Sequence, residues 1–569
     1  MQTAARSSSR SRLAPLSRFA AHPLLVLSLI AASASAAYAQ QSGSGFGGES
    51  RFFPGLLVVS RSVYDNLSSN VQPGSVLPPD CPAATATCGA ATGATSDGTY
   101  PYVWNNVLYD ANFGITSRIY LDQLTPSGGL VSTIEVPNSL NQQGNANGQL
   151  VTSFSSKSEL ALHLSTDGQY LSFVGYVAPV NSIDVSNANT PGVVDPTNPD
   201  GQTFYRGVAL VDSSGHFRFT ETNAFSGDNG RAAILNDTSG QNLFYTTGNA
   251  GNGTNPQPDG VVIGTGAQLL DPSNQPEAQQ NPGAPTPLGS FSVTQLGAKA
   301  DKVGKDDNFR GITVYNNVVY YTKGSGSNGV NTVYFLDTTG TACPSGTGVP
   351  AANAKLPTTP LAYTAATLQT TGLPNNMCIL AGFPSTLNKN ATTLAYPFGL
   401  WFANATTLYV ADEGDGYTGG TDLFTHAAAQ TTAGLQKWVY NASSKQWTLA
   451  YTLQNGLNLG QEYTVPGYPT GSNSATGLPW APATDGLRSL TGRLEDDGSV
   501  TLWAITSTVS GDGDVGADPN RLVAIRDVLK NTSATSAANE RFVTLRGAGF
   551  GEVLRGVSFT PGTNANGWF

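Results

Sequence analysis

The sequence predicts an all-β fold that closes on itself as a ring of repeated sheets, and three observations carry that expectation. Short β-branched and aromatic runs bounded by Gly, Asn, Asp or Ser recur along the chain, while helical periodicity is nearly absent. One strand–turn–strand unit occurs five times. The run 555–559 then repeats only the first strand of that unit before the sequence stops at Phe569.

In chain order, the runs 56–62, 117–124 and 130–136 come first. The hairpin at 159–173 superposes without gaps on 231–245, because Gly168 and Gly240, like Leu171 and Leu243, lie 72 positions apart. The unit recurs with a shifted turn at 310–321, 398–410 and 488–503. Further strand pairs follow, 206–212 with 216–221 and 434–440 with 447–453 among them, so each unit is four strands long. Four-stranded repeats are how a propeller blade reads in sequence.

The two ends complete the ring. If 555–559 is the first strand of a blade, then 56–62, 117–124 and 130–136 supply its other three, and no sheet edge is left open at the seam. A six-bladed β-propeller follows, its inner strands starting near 159, 231, 310, 398, 488 and 555. Seven blades, with 56–136 forming more of its own unit, is the alternative. The spacings of 72, 79, 88, 90 and 67 residues exceed the ~40–45 of a compact blade, so long inserted loops are expected.

Leu408-Tyr-Val-Ala-Asp-Glu-Gly-Asp-Gly416 and the segment 161–175 are similar to strand–turn–strand units of NHL and SMP-30-type propellers. The chain as a whole resembles a widespread family of exported bacterial propellers. The resemblance implies the fold and transfers no catalytic residue.

Arg6, Arg10, Arg12 and Arg18, an apolar run at 24–32 and Ala37-Tyr38-Ala39 read as a secretory signal over 1–39, leaving 40–569 as one propeller domain in a secreted or periplasmic, soluble protein. The apolar run is about half the ~20 residues that span a bilayer. Beyond the signal, 24 basic residues face 38 acidic ones, a formal charge of −14 that repels nucleic acid and anionic membrane surfaces. With four Cys, four His and two Met in 569 residues, a haem array, an iron–sulfur cluster or a His-rich copper centre has too few ligands. An oxidising compartment makes disulfides the expected use of Cys81, Cys88, Cys343 and Cys378, and nearest-neighbour pairing is the economical choice among three connectivities.

Four inner-strand starts read acid-x-x-Arg: Asp228 with Arg231, Asp307-Asn308 with Arg310, Asp485 with Arg488, and Glu552 with Arg555. At equivalent register these residues form a ring around one channel mouth, a candidate site for an anionic small molecule, glycan or protein. Antiparallel order returns the loops after the second strands to the same face. Two of these carry candidate Ca²⁺ ligands, Asp412, Glu413 and Asp415 in one and Asp512, Asp514 and Asp518 in the other, although neither matches the EF-hand pattern. Glu159 and His163, four residues apart on one strand face, are the candidates for acid–base chemistry. No nucleophile elbow, zincin helix or phosphate-binding loop is present. The expectation is an exported propeller that binds an anion at an Arg/acid-lined mouth. The alternatives are a Ca²⁺-dependent hydrolase of the lactonase or phosphoesterase type, and a structural extracellular protein.

Overall fold

The computed structural model describes residues 51–67, 69–72, 115–141, 148–154, 156, 158–182, 204–222, 224–225, 229–249, 266–270, 272, 308–324, 329–358, 377–474, 476–512 and 516–563. Cys81, Cys88, Asp228, Asp307 and Asp514 lie outside them.

The chain begins with β1 (Leu57–Val63), β2 (Thr116–Leu124) and β3 (Leu130–Glu135), with the short β4 (Thr152–Ser153) paired to the start of β2. The second blade is β5 (His163–Leu164), β6 (Tyr170–Tyr176), β7 (Arg206–Asp212) and β8 (Phe217–Thr222). The third has β9 (Gly230–Asn236), β10 (Leu243–Gly248) and β11 (Ala267–Leu270) among the described residues. The fourth is β12 (Ile312–Tyr315), β13 (Val318–Lys323), β14 (Thr332–Leu336) and β16 (Met377–Leu380), with the short β15 (Thr347–Gly348) paired parallel on the outer side of β16. The fifth is β17 (Pro397–Asn404), β18 (Thr407–Asp412), β19 (Gly434–Asn441) and β20 (Gln446–Leu453), and the sixth is β21 (Ala483–Leu494), β22 (Ser499–Val509), β23 (Arg521–Val528) and β24 (Val543–Gly547). The last strand, β25 (Glu552–Phe559), joins the first sheet. It pairs antiparallel with β1, Leu57 opposite Phe559 and Val63 opposite Glu552.

This is a six-bladed β-propeller, and the seven-blade alternative falls because 56–136 shares one sheet with β25. The inner strands β25, β5, β9, β12, β17 and β21 neighbour one another in that order, and β21 returns to β25. Apolar side chains fill the spaces between blades. Leu57, Trp503 and Phe559 belong to one such cluster across the seam between the sixth and first blades, where the buried Trp503 indole donates to the Pro126 carbonyl at 2.9 Å. Removing such side chains from water is the main favourable contribution to folding.

A hydroxyl relay fastens neighbouring blades. Gly556 N–H donates to Ser60 Oγ at 2.8 Å, and Ser60 donates to the Leu160 carbonyl at 2.7 Å. In the fourth blade Gly311 N–H donates to Thr322 Oγ1 at 2.8 Å, and Thr322 donates to the Phe398 carbonyl. The inner strands approach so closely that a Cβ at Gly556 would lie 2.3 Å from Leu160 O.

Three local features depart from the sequence pattern. The second blade's inner strand starts at His163, not near 159, because Leu160 is left-handed at φ 63° and ends the extended run behind it. A short helix, Leu423–Ala429, fills the loop after β18. The long insertion in the fourth blade is stapled by a disulfide between Cys343 and Cys378, Cα atoms 5.9 Å apart, which is the nearest-neighbour pairing. Among the described residues no helix is long and apolar enough to cross a membrane.

Candidate functional site: a charged channel mouth

The four inner-strand arginines meet. Arg231 Nε donates to Ser158 Oγ at 2.6 Å, and Arg310 Nη1 reaches the same oxygen at 3.3 Å. Arg488 Nε donates to Glu413 Oε2 at 3.1 Å, while Arg310 Nε lies 3.8 Å from Glu413 Oε1. Arg555 donates to the carbonyls of Phe154 and Ser156. Phe154, Ser156 and Ser158, between β4 and β5, are therefore the hub, accepting from arginines of three blades. All four guanidinium-bearing residues are buried, at 4–5% exposure.

The two acids of the acid-x-x-Arg pattern that lie among the described residues, Glu552 and Asp485, take other partners. Glu552 accepts from Arg61 at 2.6 Å and from Gly549 N–H at 3.0 Å. Asp485 accepts from Gly416 N–H at 2.9 Å and from the Gln430 amide. Asn308 accepts from Arg231 Nη1. The carboxylate bridging two of the arginines comes instead from a loop after a second strand, since Glu413 follows β18. A Cβ on Gly414, whose φ is +79°, would sit 2.4 Å from Asp485 Oδ2, so this loop can pack on its neighbour only with glycine there.

Asp412, Glu413, Asp415 and Asp485 form an acidic layer with Tyr396, whose phenol their charges push up after burial. Burial raises both Asp412 and Asp485 to about 7, although backbone N–H donors act in the opposite direction. Asp415 faces solvent and pairs with His426 at 2.7 Å, and the hydrogen bond raises the imidazole.

The candidate Ca²⁺ ligands divide into two cases. Asp412 accepts N–H groups of Tyr396, Gly414 and Gln436, Glu413 faces guanidinium groups, and Asp415 faces His426 and Tyr417 N–H. Oxygens turned to N–H donors do not fit a hard cation. Among the described residues, no three carboxylates lie within 4.8 Å of one another; the one such His/Cys/Asp/Glu trio is Asp337 with the disulfide cysteines. Asp512 and Asp518 fit better. They are buried side by side, Asp518 hydrogen-bonding Asp512, Ser510 Oγ at 2.8 Å and Tyr468 OH at 3.0 Å, with burial raising Asp518. Two carboxylates and hydroxyl oxygens are a suitable donor set.

Glu159 and His163 are not brought together. Glu159 accepts from Thr152 Oγ1 at 2.7 Å, Ser153 N–H at 3.1 Å and Asn229 Nδ2 at 2.8 Å at the charged mouth. His163 lies farther along the channel wall, past the left-handed Leu160 that breaks the two-residue period.

Two features escape the sequence pattern. The serines of the hub sit in a Ser-rich run that reads as turn composition. Lys437, in the middle of β19, is fully buried against Asp527 at 2.7 Å and Tyr451 OH at 2.9 Å, fastening the fifth blade to the sixth.

The fold and this mouth define the class, a six-bladed β-propeller with an arginine-bearing channel end. No protein-family model matches the chain, and no curated protein matches it. Among solved structures it is similar to a quinoprotein alcohol dehydrogenase-like protein from Bacteroides thetaiotaomicron, at 10% identity and TM-score 0.25, covering 83% of this chain and 89% of that one. It is also similar to a PL25 polysaccharide lyase, an ulvan lyase solved with bound saccharide, at 10% identity and TM-score 0.28, covering 79% and 91%. At these values neither carries an argument about chemistry.

Proposed function

We propose that this is an exported propeller, of the NHL and SMP-30-like kind, that binds an anionic small molecule or polymer at the arginine-bearing mouth. The observation that supports it is the convergence of Arg231, Arg310, Arg488 and Arg555, from four different blades, on one end of the channel. Guanidinium groups match carboxylate and phosphate geometry. Carriage to the periplasm or beyond rests on the N-terminal signal pattern.

The test is calorimetric titration with inorganic phosphate and trigalacturonate, at low and high salt. Binding should weaken with salt and be lost in Arg310→Met and Arg231→Met variants that still show a cooperative melt. Unchanged affinity in folded variants would leave these arginines a structural role only.

A second reading, a hydrolase of lactones or phosphate esters, is favoured by Asp412 and Asp485. Burial pushes both up to about 7 on the two sides of Glu413, whose carboxylate faces Arg310 and Arg488, and strongly perturbed carboxyls are common where protons are moved. Ca²⁺, if it is used, is assigned to Asp512 and Asp518. Hydrolysis of a chromogenic lactone or phosphate ester, lost in Asp485→Asn, would support this reading.

A further inference from the structure

The opposite end of the channel has the reverse chemistry. Where the six inner strands end, a cavity of about 580 Å³ takes one wall from each of them, through Leu164, Ile234, Thr313, Leu400, Leu490 and Val557. That volume falls in the ~300–1,000 Å³ range of small-molecule sites. None of the described residues lining it is Asp, Glu, Lys or Arg. The channel is thus charged at the end where the inner strands begin and neutral where they finish.

Aromatic faces and neutral polar groups share this neutral end. Trp401 is half-buried and packs over Gly492, where a Cβ would stand 2.7 Å from the indole Cε3. Glycine at 492 therefore sets where the ring lies. Tyr315 and Phe402 stack at 4.5 Å and also wall an adjoining cavity of about 450 Å³ lined by Tyr440 and Trp447. The rim carries side-chain amides and hydroxyls, Asn316 and Asn317 on a left-handed turn, with Asn404 and Thr491. His163 lines the same cavity; burial lowers its imidazole to about 4, and its Nε2 has no hydrogen-bond partner among the described residues. A buried polar atom without a partner is costly unless a ligand or water supplies one.

We infer that this neutral end of the channel is a second ligand site, separate from the arginine-bearing mouth, and that it takes an uncharged oligosaccharide. The electron-rich face of Trp401 suits the C–H face of a pyranose. The amides, hydroxyls and neutral imidazole supply donors and acceptors for sugar hydroxyls. A charged ligand would be desolvated there without a counter-ion. A purely apolar ligand would strand the polar rim.

The test is calorimetric titration of the full chain with maltotriose, cellotriose, xylotriose and chitotriose, beside trigalacturonate. At least one neutral trisaccharide should bind with Kd below about 1 mM, independent of salt and unchanged in Arg310→Met. Trp401→Ala should weaken it roughly tenfold or more, and Thr491→Arg, which places a charge in the lining, should abolish it. Should Trp401→Ala not fold, Trp401→Phe, which keeps an aromatic ring, decides the point together with Thr491→Arg. The inference is overturned if no neutral trisaccharide reaches that affinity, or if binding survives both lining variants. Salt-sensitive binding of trigalacturonate alone, lost in Arg310→Met, would support the charged mouth and refute this site.

Discussion

Arg488 donates to Glu413 at 3.1 Å although the two residues lie 75 positions apart, one on an inner strand and the other on the preceding blade's loop. Both are buried, Glu413 at 3% and Arg488 at 4% exposure. Breaking a buried ion pair from one side strands the other charge, which typically costs about 3–5 kcal/mol. Glu413→Ala and Arg488→Met should each destabilise the fold by about that much in urea unfolding, and the double variant should cost clearly less than their sum. Additive effects below about 1 kcal/mol would show that the contact contributes little.

The Asp412 and Asp485 carboxyls bear on pH. Burial pushes each up to about 7 in the folded chain from an ordinary value of 3.8. Between those limits the folded chain holds more protons than the unfolded one, so this contribution to stability declines as pH rises from about 4 to about 7 and is level above. His163, lowered from 6.5 to about 4, acts with the opposite sign between those values. The check is therefore a difference: across that window, Asp485→Asn should lose less stability than the wild type. Parallel curves for the two proteins would contradict the buried, proton-holding Asp485.

Calcium gives a third outcome. If Asp512 and Asp518 hold a cation in the folded chain, CaCl₂ added to chelator-treated protein at neutral pH should raise the melting temperature. The rise should vanish in Asp518→Asn. An identical midpoint with and without calcium would remove the cation from these residues.

Blade packing gives the fourth. Gly556→Val forces a side chain against the Leu160 carbonyl, whereas a Cβ at Gly547 meets nothing within 4 Å. The first should cost about 2 kcal/mol or more, and Gly547→Ala should stay within about 0.5 kcal/mol. Comparable effects at both positions would mean that the inner strands can spread apart.

The repeat was legible because its signals are local. Gly168 and Gly240 mark equivalent turns, and 555–559 lacks a partner nearby in sequence. The arginines could be placed from register alone, since a shared position in each blade is a shared position around the axis. Their partners could not. Which carboxylate reaches Arg488 depends on how far the 413 loop leans across a blade boundary, and no spacing encodes that. Glu159 and His163 failed as a pair for a similar reason, because the two-residue period assumes an unbroken strand and Leu160 adopts a positive φ. Lys437 carries no signal in the sequence because its buried counter-charge, Asp527, is 90 residues away.

Because β1 lies beside β25, the ring cannot be assembled in the order in which it is synthesised. A growing polypeptide can form the middle blades early, but its first sheet must wait, with one flank unpaired, until Glu552–Phe559 has emerged. Ring closure is therefore a late event, and whatever needs all six blades in place, the meeting of the four arginines included, waits for the final strand.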